Sequence, residues 1–207
     1  GVSTTVYQNW FTGAASNIPD LITKAEAEGA THYIGAALVV KSMGYIMMAD
    51  LYGEMPYTQA VSAIGEGGIL APELDNGDVI YHGCLEDLET AIAYLSKPQE
   101  GATATPLSKG DTWMGGNTDL WVKLAYGLKA RWLNNLTKTA EFDADAVLEA
   151  LKKAPKEFSC FFYQGNEYIN QKNTPPLLAD SHEHLQQKKM AIEPKDNIDS
   201  LFSRLFH

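Results

Sequence analysis

From Tyr33 to Tyr52 nearly every position is apolar or small. A helix over this stretch would bury most of its circumference instead of one stripe, which places it at the centre of a bundle. Thr31 reads as its N-cap. Gly53 followed by Pro56 reads as its stop, because Gly supplies a left-handed residue after the last turn and Pro cannot continue the ladder. Gly35, Ala36, Ala37 and Gly44 leave room for neighbouring helices to approach closely. Upstream, Val6 to Glu28 also carries a helical pattern, which Pro19 must kink or restart at a first-turn position after Asn17.

Tyr81, Leu85, Leu88, Ile92 and Leu95 recur at spacings of three and four, predicting a one-striped helix capped by Asp78. Trp121, Leu124, Leu128, Trp132 and Leu136 predict another, capped by Asn117 or Thr118. A shorter helix is expected from Asp143 to Lys153, with Asp143 as cap and two lysines in the last turn, where they suit the helix dipole. Met55 to Gly77 and Pro98 to Gly116 are rich in Gly and Pro and read as long loops. After Pro155 the character changes. Phe158 to Tyr163 is a short aromatic, strand-like run, Asn173 to Pro176 a turn, and Leu201, Phe202, Leu205 and Phe206 fall on one side of a short amphipathic turn.

The fold class expected is all-α: helical hairpins with long inserted loops over residues 1–155, then an irregular tail over 156–207, read as an incomplete part of a second half. Helix starts near 31, 78, 118 and 143 are unevenly spaced, which excludes a strict tetratricopeptide period of about 34 residues but leaves an irregular solenoid open.

The 207 residues suffice for a core without staples, since a chain of this size buries roughly 70% of its unfolded surface. The net charge of −10 argues against nucleic acid, whose binding draws its non-specific affinity from Lys and Arg. Cys84 and Cys160 are too few for a disulfide framework or a thiolate zinc site, and read as two buried thiols. The most apolar stretch contains Lys41 and Asp50, so it reads as a buried helix and not as a membrane span. The chain starts at Gly1 without a leader pattern, which suggests a processed chain or a fragment.

Chemistry-bearing patterns are sparse. Without GxSxG, a P-loop or GxGxxG, no catalytic residue and no cofactor is assigned. His182-Glu183-His184 lacks a third ligand, and Asp75-Asn76-Gly77-Asp78 lacks the alternating ligands and closing Glu of a calcium loop, so no metal site is assigned either. Loop aromatics are the better candidates, because sugars stack on flat apolar faces with polar groups nearby. Trp10, Tyr57 and Trp113, in or beside segments read as non-helical, are the candidate ligand contacts. Trp121 and Trp132, at helical spacing, read as core. Asp50, Tyr52, Gly53 and Pro56 form a helix-stop motif, and Arg131 is the partner expected for Asp50 inside the fold.

Two ordered stretches add a family resemblance. Ala49-Asp50-Leu51-Tyr52-Gly53-Glu54-Met55-Pro56-Tyr57 closes the apolar helix. Further on come Leu85-Glu86-Asp87-Leu88-Glu89-Thr90-Ala91, Gly110-Asp111, Gly115-Gly116-Asn117, Trp121-Val122-Lys123-Leu124-Ala125 and Leu128-Lys129-Ala130-Arg131. This order resembles the SusD/RagB-like outer-membrane nutrient-binding lipoproteins, more closely their second group, over roughly residues 5 to 153. Glu54 stands where the family usually has Asp, and Tyr126-Gly127 where it usually has Asn-Ser. The resemblance implies tetratricopeptide-like hairpins and a lipid anchor to the outer membrane, the anchor being absent from this sequence. It also implies non-catalytic capture of a glycan or other nutrient beside a TonB-dependent (SusC-like) transporter. An all-helical glycoside hydrolase and a tetratricopeptide-type protein scaffold are the alternatives from other classes.

Overall fold

The computed structural model describes residues 2–60, 69, 71–99, 104–155, 198, 202 and 205. Its helices are α1 (Val2–Gln8), α2 (Ile18–Glu28), α3 (Thr31–Tyr52), α4 (Gly77–Leu95), α5 (Thr118–Asn135) and α6 (Ala144–Lys153). A π-helical segment, Asn9–Ala14, and a 3-10 turn, Ala15–Asn17, join α1 to α2, and a second 3-10 turn, Leu107–Lys109, precedes α5. Among the described residues no strand forms, only an isolated antiparallel bridge between Met55 and Asp75. The fold is all-α, as the periodicity predicts.

The apolar helix α3 lies at the centre, with thirteen of its residues buried on all sides. It is long and apolar enough to cross a membrane by composition, but 67% of that window is buried inside the fold, so it is a core helix. Helix α4 runs antiparallel along it: a Cβ on Gly35 would lie 2.6 Å from Leu95 Cγ, while further along Ser42 Oγ sits 3.0 Å from Cys84 O and 2.9 Å from Leu38 O. Ser42 is fully buried, and these carbonyls satisfy its hydroxyl. Helix α5 continues the alternation, since Lys129 pairs with Glu89 and Asn135 reaches Tyr81 near the start of α4. Helix α6 packs chiefly against α5.

Capping follows the sequence in two places and departs from it in two. The Asn117 side chain accepts from Leu120 N, and Asp143 accepts from Asp145 N and Ala146 N. Thr31, by contrast, is the first residue of α3 and no side-chain cap, because a tight turn sets that start. Gly29 at φ 68° ends α2, and Ala30 N bonds back to Ala25 O at 2.8 Å, the two-bond closure typical of a left-handed C′ glycine. Asp78 likewise lies inside the first turn of α4 and not at its cap.

The segment read as helical from Val6 to Glu28 is helical throughout but changes pitch three times. Pro19 lies in the first turn of α2. The carbonyls before it are taken up by side chains: Thr12 Oγ1 donates to Gln8 O, Ser16 Oγ to Thr12 O, and Asn17 Nδ2 to Gly13 O. Trp10 is therefore helical and not in a loop. Its ring lies flat against Gly44, where a Cβ would overlap it.

Asp50 and Arg131 do not pair. Both are exposed, and Tyr81 stands between their helices: its hydroxyl donates to Asp50 Oδ1 at 3.2 Å and accepts from Asn135 Nδ2. Arg131 lies over the buried Trp132 ring at 5.1 Å. The buried acid is Asp111. At 3% exposure it accepts four hydrogen bonds, from Trp113 N and Met114 N on Oδ1 and from Gly116 N and Trp121 Nε1 on Oδ2, at 2.7 to 3.0 Å. Gly116, at φ 80° and with Ser108 Cα 2.5 Å from where its Cβ would be, is a position only glycine fills. One carboxylate thus folds the turn that launches α5 and anchors the first buried tryptophan of that helix.

The end of the chain belongs to this same unit, which spans Gly1–Ala154 and Asn197–His207. Ile198, Phe202 and Leu205, spaced by four and three, are buried, and Phe202 meets Tyr33 and Trp121 edge-on at 5.3 and 6.1 Å. Three residues of the expected tail are thus core residues. Leu201, Phe206, Phe158 to Tyr163, Cys160, Asn173 to Pro176 and His182 to His184 lie outside the described residues.

Replacing Asp111 with Ala leaves three backbone N–H groups and an indole N–H without their acceptor, and is expected to cost about 3 kcal/mol or more. Asp50→Ala, on the surface, is expected to cost less than about 1 kcal/mol. Urea unfolding of the two variants beside the parent chain checks the ranking, and equal midpoints would contradict it.

Candidate functional site

The chain after α3 is shaped by its own motif. Gly53, at φ 78°, turns it out of the helix, and Met55 and Pro56 are buried beneath it. Met55 then pairs with Asp75 through two backbone bonds of 3.2 and 2.8 Å, closing the loop at its base. The Asp75 carboxylate accepts from Tyr57 N and Thr58 N at 2.9 and 2.8 Å and from the Thr58 hydroxyl. This fixes Tyr57 over α4, where its ring occupies the space a side chain on Gly83 would need.

Beside this loop opens a cleft of about 380 Å³. Ile18, Pro19 and Ile22 of α2 form its aliphatic wall, Lys41 and Tyr45 of α3 its floor, and Tyr57 and Thr58 its third side. Lys41 is the single basic residue of α3. Its ammonium pairs with Asp87 of α4 at 2.7 Å and lies 5.1 Å from the centre of the Tyr57 ring. The Tyr57 hydroxyl donates to the same Asp87 oxygen at 3.3 Å. Burial, with the nearby Cys84 and Asp87, raises the Tyr57 pKa, so the phenol stays protonated and neutral. Burial and the charge of Asp87 push the Cys84 thiol up to about 12, outweighing Lys41 and a Tyr57 hydrogen bond, which makes it an inert core thiol.

The three aromatic candidates fall in two places. Trp10 and Tyr57 are brought together through Tyr45, which meets both edge-on at 5.2 and 4.9 Å. Tyr57 lines the cleft, whereas Trp10 supports Tyr45 and packs on Gly44. Trp113 is elsewhere, half-buried in the Asp111 turn and stacked on Trp121 with ring centroids 6.2 Å apart and planes 10° from parallel. Trp121 and Trp132 are fully buried, as read. The motif residue Tyr52 meets Tyr7 edge-on at 5.5 Å.

Sequence reasoning missed Lys41, Tyr45 and Asp87 as members of a site. The signal was present in one of them: a lone lysine inside an apolar helix must find a partner or reach water. Tyr45, set in the same apolar run, had no pattern to separate it from core. Asp75, read as part of a turn, is the residue that holds Tyr57 and Thr58 in place.

Residues 1–169 match the SusD-like_2 family, described as "Starch-binding associating with outer membrane". Searches of curated proteins and of solved structures returned no match.

Burial would raise the Asp75 carboxyl, but the hydrogen bonds from Thr58 and Tyr57 outweigh it and hold the pKa below its ordinary value of 3.8. Its contribution to stability is therefore complete above that value and lost as pH falls through the lower folded one. The urea-midpoint gap between the parent chain and Asp75→Asn is expected to be constant down to about pH 4 and to close below it. A gap that persists unchanged to about pH 2 would contradict this role.

Proposed function

The chain belongs to the SusD-like family, and on that premise we propose that it binds a glycan without turning it over and passes it to a TonB-dependent outer-membrane transporter. The family match over residues 1–169 carries this reading, and the described geometry is in keeping with it. The cleft offers hydrogen-bonding groups without a free cation beside an aliphatic wall, a surface suited to a sugar ring with its apolar face and rim of hydroxyls. Anchoring by lipid at the cell surface and partnership with a SusC-like barrel are parts of the same proposal.

Of the candidate contacts, Tyr57 acts at the cleft, Trp10 holds Tyr45 behind it, and Trp113 presents a second aromatic surface at the Asp111 turn. Stacking on Tyr57 or Trp113 is worth several-fold in affinity.

Affinity electrophoresis through gels containing soluble starch or other neutral glycans, run beside a reducing-sugar assay on the same glycans, tests the reading. Retention without sugar release is expected. Release of reducing ends would instead establish a glycosidase, and neither retention nor release would contradict glycan binding. Trp113→Ala is expected to weaken retention about threefold or more; unaltered retention removes Trp113 from the contact surface.

A further inference from the structure

Tyr45 is the residue in the cleft whose chemistry the fold leaves unused. It is 3% exposed yet lines the cleft, and its hydroxyl has no hydrogen-bond partner among the described residues. The buried polar side-chain atoms left without a partner among the described residues are Trp10 Nε1 and Trp132 Nε1, so the Tyr45 hydroxyl keeps its contact with the solvent of the cleft, where a bound hydroxyl can replace water. Its proton is held firmly: burial first, then the neighbouring Cys84, Tyr7, Asp75 and Asp87, raise its pKa, so it remains a neutral donor at every physiological pH.

The remaining polar groups at the cleft define what would satisfy it. Lys41 carries three N–H donors, one of them directed at Asp87. The Thr23 hydroxyl on α2 and the Thr58 hydroxyl on the loop face the same space. Asp87 and Lys41 neutralise one another at 2.7 Å, and the Asp75 carboxylate behind Tyr57 and Thr58 adds a negative charge beside the cleft, so the cleft presents no uncompensated cation for a carboxylate or sulfate. Opposite them, Ile18, Pro19 and Ile22 give a continuous apolar wall. A volume of about 380 Å³ is at the lower end of the range for small-molecule sites, enough for one or two sugar rings and too small for a long chain lying flat.

We propose that this cleft is a subsite for a neutral pyranose unit, which sets its C–H face on the α2 wall and gives hydroxyls to Tyr45, Lys41 and Thr23. The assignment rests on the glycan-binding reading above and specifies its place and its charge class. Tyr57 and Thr58 line this subsite, and Asp75 is the positioning residue that sets the loop carrying them.

Calorimetric titration with maltoheptaose, cellopentaose and mannopentaose as neutral probes and trigalacturonic acid as the anionic one tests the subsite. The chain is compared with Tyr45→Phe, which keeps the ring and removes only the hydroxyl, and with Ile22→Trp, which fills the cleft from its half-buried wall. Thermal melting of each variant confirms the fold. For the neutral probe that binds, Tyr45→Phe is expected to weaken affinity about 3- to 10-fold and Ile22→Trp by at least about 10-fold, with trigalacturonic acid bound no more tightly. Parent-like affinity in both folded variants would overturn the subsite and leave glycan binding standing. Tighter binding of trigalacturonic acid, lost in Lys41→Met, would overturn its neutral character. Binding of no probe by the parent chain would overturn the glycan reading itself.

Discussion

The structure follows from the need to surround α3. A helix apolar around most of its circumference needs cover on more than one side, and its neighbours supply it except at the C-terminal end, where Met47 and Leu51 stay exposed. Close approach is permitted where side chains are small: Leu95 of α4 settles against Gly35, and Trp10 against Gly44. The covering helices then keep one stripe inward and leave the other polar. The same constraint makes the one basic residue of α3 informative. Lys41 sits only 26% exposed within this apolar helix, and its charge is balanced by Asp87 on α4. Tyr57 reaches that same carboxylate from the loop after α3. The cleft therefore forms where the core helix is least apolar, and its polar groups are present first for structural reasons.

A second organising group acts at the other end of α3. Tyr33, about 18 Å along the helix from Tyr45, meets Phe202 from the end of the chain, and Phe202 meets Trp121, whose indole is fixed by Asp111. A buried carboxylate with no cation beside it among the described residues is tolerated here because four N–H groups converge on it. Glycines 115 and 116, both at positive φ, let the backbone curl around it. The Gly-rich loop before α5 is thus an ordered cradle whose composition reflects a demand for backbone N–H groups pointing inward.

Much of this was legible in the residue pattern. The helix over 31–52 follows from its unbroken apolar run and stop motif, those over 77–95, 118–135 and 144–153 from apolar spacing and end signals, and Asn117 and Asp143 announce their caps by side-chain chemistry. The misplaced starts at Thr31 and Asp78 share one feature, the lack of a side-chain cap: a tight turn at Gly29 and Ala30 sets the first, and the Met55–Asp75 bridge leads into the second through extended Asn76. The π segment around Trp10 could not be read, because widening a helix by one residue per turn alters the backbone pairing and leaves the composition unchanged. The expected Asp50–Arg131 pair failed for a different reason. It required two long-range contacts to meet, and Tyr81 intercepts one of them. Asp111 looked like any turn residue before the fold brought Trp121 to it. The site was legible only in Tyr57; Lys41, Tyr45, Asp75 and Asp87 come from three elements joined solely by tertiary packing.

A glycan placed in the cleft between α2, α3 and the Tyr57 loop is the central claim, and backbone amide shifts report its location directly. Isotope-labelled chain titrated with the tightest-binding neutral oligosaccharide should show perturbations concentrated on residues 15–23, 41–45 and 57–58, with the Asp111 turn and the surface of α6 far less affected. Perturbations confined to residues 108–121, with the cleft amides unmoved at saturation, would contradict it.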